Sequence, residues 1–451
     1  MREEIIRVTP FKFLDYLEIE GHQCVGMHGT LKIVGHISPE DEQEYIRLMT
    51  TQTWVSVDAA VYEGTMRHMF EGIIQEADIE KINGTCILTL QLITESYLMD
   101  QKRHIRSFQQ EGTLYRTVMD TIMEGYSESR CMMTAGEGAQ IPGCLLQYHE
   151  TDWEFARRLA SHFGTDIYAD CYYRGIELHL GEPKAGFISK ITSNEYSVVK
   201  NNESPCNYLV KLREIHNVGE WVNLNGMDLW IAEAWTKLEG NELYHTYRLV
   251  NKGGLERDKK YNEKCTGASL TGVVTAVEKD KVQVELEQDE NKAKAGRRWF
   301  DYATPYSTPD GTGWYCMPEA GDKIRLRIPT EDESGAYVVS SVHVESSSGS
   351  ERKNPDYKSI MNKHGKEILL TPKSLIMTNN AGMSIEILDE EGIKIISDKN
   401  IAIEAADAVE ITSANSKLEL YAKDNILLKQ GNIQMNMDGE MRFYGARLNL
   451  N

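Results

Sequence analysis

The sequence has no long apolar run and lacks the short motifs that accompany most cofactor and metal chemistry. No stretch approaches the ~18 consecutive apolar residues that a membrane-spanning helix needs. The P-loop, zinc-protease, nucleophile-elbow and EF-hand patterns are also missing. The opening segment MREEIIRVTP has neither a charged n-region nor an apolar h-region. We therefore predict a protein without a membrane span, secretory signal or cofactor, made and folded in the cytosol.

Cysteine and positive charge are both scarce, and each shortage excludes a class of protein. The eight cysteines show no C-x-x-C spacing in a chain of 451 residues, which favours free thiols in a reducing compartment over a disulfide framework. The 49 Lys and Arg residues face 69 Asp and Glu residues, giving a net charge of -20. Because phosphate neutralisation needs clustered Lys and Arg, this balance argues against nucleic-acid recognition.

The nearest approach to an acid/base cluster is His149-Glu150 beside Asp152. These residue types could move protons in a cleft. The alternative is structural: Asp152 and Glu154 favour the positive end of a helix dipole, and Glu154 completes a capping box with Thr151. The spacing favours the structural interpretation, and we predict no catalytic residues.

Two further groups of residues admit a functional and a structural interpretation. Trp299, Trp314 and Tyr315 could form a stacking platform for sugars or single strands, but only Arg297 and Arg298 lie nearby, so a core role is favoured. Acidic residues near the C-terminus could belong to a glycan-degrading β-helix, but their alternation with apolar positions indicates a solvated face. These acidic residues are Glu404, Asp407, Glu410, Glu419 and Asp424.

The length predicts three or four domains, and the periodicity changes along the chain to match. Alternating strands come first, with Asn83-Gly84 as a hairpin signal. A segment with helical periodicity follows, in which Leu114, Val118 and Ile122 share one face. The predicted division is a first β-barrel (1–100), a helical α/β insert (101–182), a second β-barrel (183–265), a small barrel of OB-fold type (266–345), a linker (346–354) and a terminal β segment (355–451).

The terminal segment repeats every eight residues from Gly392 onward, beginning GIKIISDK, NIAIEAAD, AVEITSAN. In each repeat two apolar residues sit two positions apart, which predicts short strands with one apolar face. Strands this short must stack, coil or pair with other chains to bury that face. The apolar residues are Ile393, Ile395, Ile401, Ile403, Val409, Ile411, Leu418, Leu420, Ile426, Leu428, Ile433 and Met435.

Four segments, taken in order, resemble the VgrG-type hub and spike proteins of contractile injection systems, which include phage tails, tailocins and type VI secretion systems. They are HGTLKIVGHI with MFEGIIQEADI, then ESYLMDQKRHIRSFQQEG, then LLQYHETDWEFARRLASHFG, and finally ATPYS with GTGWYCMPEAGDKIRLRIP and GAYVVSSV. The third segment resembles the family's signature helix. It contains Gln147, Glu150, Asp152, Trp153 and Phe155, to which the resemblance assigns a structural role.

The resemblance implies a mainly β fold with a small α/β insert, assembled as a homotrimer. Two tube-like hub β-barrels per chain would form a pseudo-six-fold ring, followed by an OB-fold collar and an intertwined triple-stranded β-helix. The repeated apolar residues would then form the trimer core of the spike. The implied partners are the tail tube, baseplate proteins and a tape measure or effector cargo, with transient contact to the target membrane.

Two departures from relatives narrow the expected function. Some phage relatives carry a lysozyme domain between collar and shaft, whereas here Val344 leads through a short linker into the shaft. Some spikes end in a His-x-His iron-binding apex, but no His or Cys follows His364. We therefore expect a non-enzymatic spike that binds a separate PAAR-like tip protein. A glycan-degrading or receptor-binding trimeric tailspike and a passive cargo carrier remain alternatives, and the host system and target cell are not specified.

Overall fold

The computed structural model describes residues 6–62, 65–183, 189–200, 206–341 and 354–447. The chain forms two compact units, Met1–Val344 and Glu345–Asn451, which are described separately. Most of the predicted linker, residues 346–353, lies outside the described residues. No helix in the described ranges is long and apolar enough to cross a bilayer.

The first β region consists of six strands and one short helix, in agreement with the alternating pattern. In Thr30–Ile37 every second side chain is buried, because period-two alternation places the apolar residues on one face. Asn83 and Gly84 have φ of 52° and 83°, which confirms the predicted hairpin turn. The elements are β1 Ile6–Thr9, β2 Asp15–Cys24, β3 Thr30–Ile37, α1 Glu42–Met49, β4 Trp54–Tyr62, β5 Thr65–Ile82 and β6 Thr85–Ile93.

The α/β insert follows, built on two helices that pack against short strands. Its core gathers the apolar faces of both helices, including Val118, Ile122, Phe155 and Leu159, all fully buried. The elements are β7 Arg103–Phe108, α2 Tyr115–Met123, β8 Ser129–Met133, β9 Leu145–Thr151, α3 Asp152–Ser161, β10 Ile167–Ala169 and β11 Ile176–Leu180. β10, β11 and β8 form one sheet, and β7 pairs with β9.

The second β region joins the first in one continuous sheet of twelve strands. Its elements are β12 Ser189–Ile191, β13 Tyr196–Val199, β14 Asn207–Leu212, β15 Trp221–Leu224, β16 Met227–Glu239 and β17 Glu242–Val250. The main order is β1-β4-β5-β6-β3-β2-β16-β17-β14-β13. In addition, β15 pairs with β16, and β12 pairs with β15. The two regions meet where β2 pairs with β16, antiparallel, from Glu233 opposite Cys24 to Lys237 opposite Glu20.

The collar segment, which we define as residues 266–341, forms a separate five-stranded antiparallel sheet. Its elements are β18 Ser269–Glu278, β19 Lys281–Leu286, β20 Phe300–Asp301, β21 Lys323–Arg327 and β22 Tyr337–Val339, in the order β20-β19-β18-β21-β22. A bridge between Tyr302 and Val338 links the two ends of this sheet. Such closure suits a small barrel. Cys144 and Leu146 of the insert join its apolar core.

The shaft, defined as residues 354–447, consists of two antiparallel meanders. The first contains β23 Lys358–Met361, β24 Glu367–Thr371, β25 Ser374–Thr378, β26 Ser384–Leu388 and β27 Gly392–Ile396. The second contains β28 Ile426–Gln430, β29 Ile433–Met437 and β30 Met441–Tyr444. Residues 397–425 carry no strand, although the eight-residue repeat predicts strands there. Strand ladders need partners for backbone groups, and the described residues of this single chain supply none to that segment.

All eight cysteines are free, which confirms the prediction of unbridged thiols. Five of them are buried, namely Cys86, Cys131, Cys144, Cys171 and Cys265. Burial raises the pKa of the Cys131, Cys144 and Cys265 thiols to about 12. These three therefore act as small apolar core residues rather than as nucleophiles.

Candidate functional site: a buried charged joint and an exposed apolar row

The capping box predicted at the start of the signature helix is confirmed. The Thr151 Oγ1 accepts a hydrogen bond from the Glu154 backbone N–H at 3.0 Å. The Glu154 Oε2 accepts one from the Thr151 backbone N–H at 3.0 Å. Because α3 begins only after this cap, Gln147 and Glu150 lie on β9 and not on the helix. The signature segment therefore spans the end of β9 and the start of α3.

The acid/base interpretation of His149 and Glu150 finds no support in the geometry. His149 is exposed and has φ of 50°, a backbone conformation that turns its side chain away from the buried Glu150 and Asp152. Its carbonyl oxygen accepts hydrogen bonds from Arg103 and Lys264. Both neighbouring carboxylates are instead engaged by arginines.

The first of these arginines is Arg158, which is 3% exposed and holds two carboxylates. Its Nε donates to Glu150 Oε1 at 2.8 Å, and its Nη1 donates to Glu333 Oε1 at 2.9 Å. The Leu146 backbone N–H also donates to Glu333 Oε1, at 3.2 Å. Burial raises the pKa of Glu150, and Arg158 opposes that rise. Since Glu333 belongs to the collar segment, this cluster fastens the collar to β9 and α3.

A second arginine anchors Asp152, which is 1% exposed on its side chain. Its Oδ1 accepts hydrogen bonds from Arg106 Nη1 and, at 2.9 Å, from Gln147 Nε2. Its Oδ2 accepts one from the Tyr126 hydroxyl at 2.7 Å. Burial, and to a smaller extent the negative charge of Asp152, raises the pKa of Tyr126, so the hydroxyl remains a donor. The signature residues Gln147 and Asp152 thus form one polar cluster beneath the helix.

A third set of contacts runs from β7 to the collar segment. His104 Nδ1 lies 2.7 Å from Glu290 Oε2, and the Ile105 backbone N–H donates to Glu290 Oε1 at 3.2 Å. The Ser107 backbone N–H donates to Asp289 Oδ1 at 3.0 Å. Although burial acts in the opposite direction, the hydrogen bonds from His104 and Ile105 lower the pKa of Glu290. These three sets together constitute the charged joint, which consists of His104, Arg106, Ser107, Gln147, Glu150, Asp152, Arg158, Asp289, Glu290 and Glu333.

Trp153 lies on the opposite side of α3 and contacts the first β region. Its ring centroid is 4.0 Å from that of His28. His28 Nδ1 lies 2.9 Å from Ser96 Oγ, while its Nε2 lies 3.8 Å from Asp100 Oδ2. Serine, histidine and aspartate are the residue types of a nucleophilic relay. Ser96 is 3% exposed, however, and burial lowers the pKa of His28 to about 4, so the set supports packing against Trp153.

The described residues contain one cluster with the donor types of a cation site. Single donor atoms of Asp170, Glu177 and His179 lie within 4.8 Å of one another. Two of these residues already have protein partners: Arg130 donates to Glu177 Oε2 at 2.7 Å, and the Tyr172 backbone N–H donates to Asp170 at 2.6 Å. Burial raises the pKa of Asp170 to about 6.

The environment of Glu95 is expected to make the stability of the folded protein depend on pH. Nothing in the sequence indicated this dependence. It is buried, its Oε2 has no hydrogen-bond partner, and burial raises its pKa to about 7. A raised carboxyl pKa contributes stability that is present below the unfolded pKa of about 4.3 and is lost as the pH rises through 7. We expect Glu95→Gln to raise the unfolding temperature at pH 8 more than at pH 5.

Thermal unfolding of the wild-type and Glu95→Gln proteins at pH 5 and at pH 8 measures this difference. Glu111→Gln is the control, because Glu111 is exposed and its replacement should change neither temperature. An equal effect of Glu95→Gln at pH 5 and pH 8 would show that the ionisation of Glu95 is not linked to folding.

The shaft leaves its repeated apolar residues uncovered in the single chain. Ile393, Ile403 and Ile411 are 71%, 69% and 64% exposed. Ile395, Ile401, Val409, Leu418, Leu420, Leu428 and Ile433 are also more than half exposed, whereas Ile426 and Met435 are half-buried. We call these twelve residues the apolar row. Their role as a trimer core stays a prediction, since a single chain does not test it.

The prediction of a core role for the collar aromatics was wrong for two of the three residues. Trp314 and Tyr315 are 58% and 76% exposed, while Trp299 is half-buried. Both exposed residues follow β20 in a long loop outside the sheet, and Phe300 fills the core position instead. The shortage of nearby basic residues favoured a core role, but the two residues lie in the loop between β20 and β21, where side chains remain at the surface.

No protein-family model matches the sequence, and neither does any curated protein. Solved structures do match. The E. coli c3393 protein, a type VI secretion component described as similar to the T4 bacteriophage tail proteins gp27 and gp5, has a TM-score of 0.53 at 13% identity, covering 75% of this chain and all of its own. The fold of this chain is similar to that of this type VI secretion component.

Two forms of a Francisella PdpA–VgrG complex agree with this VgrG-type fold. The lidded form has a TM-score of 0.56 at 9% identity, covering 85% of this chain and 76% of its own. The half-lidded form has a TM-score of 0.53 at 10% identity, covering 87% of each chain. The VgrG-type resemblance seen in the sequence is therefore confirmed at the level of the fold.

Proposed function

We propose that this VgrG-type chain is the central hub and spike of a contractile injection apparatus and acts as a homotrimer. The observation that carries the proposal is the apolar row. A chain with this fold ends in a shaft whose repeated apolar side chains are exposed in isolation. Soluble proteins seldom leave so much contiguous apolar surface uncovered. Pairing with further copies covers it.

Three copies suit the eight-residue repeat of the shaft. A repeat of this length is too short to form a self-sufficient coil, but three chains can share one apolar axis and pair their strand edges. Each apolar side chain removed from water contributes roughly 1.5–3 kcal/mol. Conformational entropy offsets much of the sum. The resulting intertwined β-helix would be stiff along its axis and slow to unfold.

In this proposal residues 1–265 bind the tail tube and baseplate proteins, and the collar segment adopts an OB-type barrel. The charged joint supports such a role, because it links the insert to the collar through the buried Arg158–Glu333 pair and through the contact of His104 with Glu290. Buried and fully hydrogen-bonded pairs hold one geometry better than exposed ones. A force applied along the particle would therefore move insert and collar together. On sheath contraction the shaft would puncture the target envelope.

We also propose two protein partners and a location. The chain would be made in the bacterial cytoplasm and become part of a phage tail-like or secretion particle. A separate PAAR-like protein would bind the tip of the shaft. The Francisella relatives are described in complex with PdpA, which supports a cargo or effector partner for this chain as well. A purified particle with a bare apex would contradict the tip partner.

A trimeric tailspike that binds or degrades glycans is the second candidate function. The exposed aromatic side chains of Trp314 and Tyr315 favour it, because aromatic faces stack on sugars. Against enzymatic activity, the shaft carboxylates Glu404, Glu410 and Glu419 are spread along an exposed face rather than paired in a cleft. Release of reducing ends from envelope polysaccharide by the pure protein would favour the tailspike.

The mass of the purified full-length protein in solution tests the main proposal. Light scattering after gel filtration is expected to give three times the chain mass of 51.3 kDa. The trimer is also expected to resist SDS at room temperature, because the strands of the shaft would have to unwind before they separate. A monomer at micromolar concentration would contradict the proposal.

A further inference from the structure

A hairpin in the collar segment presents aromatic side chains to solvent. We define the aromatic hairpin as residues 303–317, the loop between β20 and β21. Ser307 and Gly313 form an antiparallel bridge, and the Trp314 backbone N–H donates to the Tyr306 carbonyl oxygen at 2.8 Å. Residues opposite each other in an antiparallel pair share a face. Tyr306 and Trp314 therefore lie side by side on one face of the hairpin.

The tip of the hairpin is held by its own hydrogen bonds. The Asp310 carboxylate accepts from the Thr312 backbone N–H at 2.9 Å and from both neighbouring threonine hydroxyls. These hydrogen bonds, led by that from Thr308, lower the pKa of Asp310 to about 2. Gly311 and Gly313 take φ of 87° and 151°, which few other residues adopt. The hairpin is thus preformed, and binding through it would cost little ordering entropy.

The aromatic rings are exposed, and the ring of Tyr315 is also held in place. Tyr306, Trp314 and Tyr315 are 55%, 58% and 76% exposed. The Tyr315 hydroxyl nevertheless donates to the Lys279 carbonyl oxygen at 2.9 Å, which holds its ring against free rotation. Fixed and exposed aromatic side chains are the typical anchors of protein interfaces.

The composition of the hairpin indicates what kind of surface covers it. Residues 303–317 contain no Lys or Arg and one acidic residue, Asp310, whose carboxylate is used internally. Nucleic acid and anionic lipid would need cations here. Exposed Tyr and Trp with few charged side chains match the core of a protein–protein interface.

We infer that the aromatic hairpin docks on a second copy of this chain. The inference rests on the proposed trimer. In the sequence of each copy, only residues 342–353 separate the collar segment from the shaft. Chains that share a shaft therefore hold their collar segments at high effective concentration. A second copy is therefore the protein surface that the hairpin meets first. Docking would make the collar segments a second set of contacts between the same chains.

Cys316 offers a direct readout, because it adjoins Tyr315 and is the exposed cysteine among the eight. We expect fluorescein maleimide to label Cys316 at least about tenfold more slowly in the native trimer than in a full-length chain kept monomeric by Ile403→Asp, since docking must open before the thiol reacts. Cys316→Ser in both backgrounds measures the labelling of the other seven cysteines, which is subtracted.

A second measurement tests the aromatic residues themselves. We expect Tyr306→Ser/Trp314→Ser to lower the denaturant midpoint of trimer dissociation, because the loss of two interface anchors weakens each contact. Tyr173→Ser is the matched control: Tyr173 is 55% exposed and lies in the insert, so its replacement should leave the midpoint unchanged.

The outcomes separate this inference from the function on which it rests. A stable trimer with fast Cys316 labelling and an unchanged midpoint in the double variant would overturn the hairpin contact and leave the trimer intact. A monomeric wild-type protein would overturn both. If Cys316 of the trimer is labelled fast and an added polysaccharide slows that labelling, the hairpin binds a glycan and not a second copy of the chain.

Discussion

Replacing Ile403 by aspartate is expected to abolish the trimer. Ile403 is 69% exposed in the single chain and belongs to the apolar row. In a three-fold shaft the substitution would bring three carboxylates together on an apolar axis. Burial of an unpaired charge costs several kcal/mol for each chain, and mutual repulsion adds to that cost. Light scattering of Ile403→Asp should therefore give the mass of one chain.

Glu410→Gln is the control for this experiment. Glu410 alternates with Val409 and Ile411 in the same repeat region, so it faces away from the proposed axis. Its substitution changes one charge in the same stretch of sequence and should leave the mass at three chains. If Ile403→Asp also remains trimeric with unchanged SDS resistance, the apolar row does not form the trimer core.

The sequence predicted most of the local elements because their signals are local. Asn83-Gly84 selects a tight hairpin, and Thr151 with Glu154 caps a helix, whatever the rest of the chain does. The union of the two β regions in one sheet was not predictable in the same way. It depends on pairing between Cys24 and Glu233, two residues far apart in the chain, and no local pattern specifies that register.

The charged joint was only half visible in the sequence for the same reason. Gln147, Glu150 and Asp152 were recognised, but their partners in the collar segment were not. Glu333 lies 175 positions from Arg158, and Glu290 lies 186 positions from His104. A carboxylate in a polar turn is usually solvated, so nothing in the amino-acid sequence around Glu333 distinguishes it from the exposed Glu331. Only the fold reveals that one of the two is buried against an arginine.

Arg158→Met is expected to give the largest loss of stability in the Met1–Val344 unit. The methionine retains much of the side-chain volume but leaves Glu150 and Glu333 buried without their cation. Removal of one partner of a buried ion pair costs about 3–5 kcal/mol. The loss should be greatest at pH 8 and smaller at pH 5, because burial raises the pKa of Glu150, Arg158 no longer opposes that rise, and the folded state then favours its protonation.

Denaturant unfolding at both pH values measures the effect, and two further variants interpret it. Arg116→Met removes an arginine of α2 that is 37% exposed and pairs with Asp120, so it should cost no more than about 1 kcal/mol. Arg158→Met combined with Glu150→Met and Glu333→Leu should recover part of the lost stability, because all three buried charges are gone. Equal losses for the single and triple variants would mean that packing around Arg158, and not charge, holds collar and insert together.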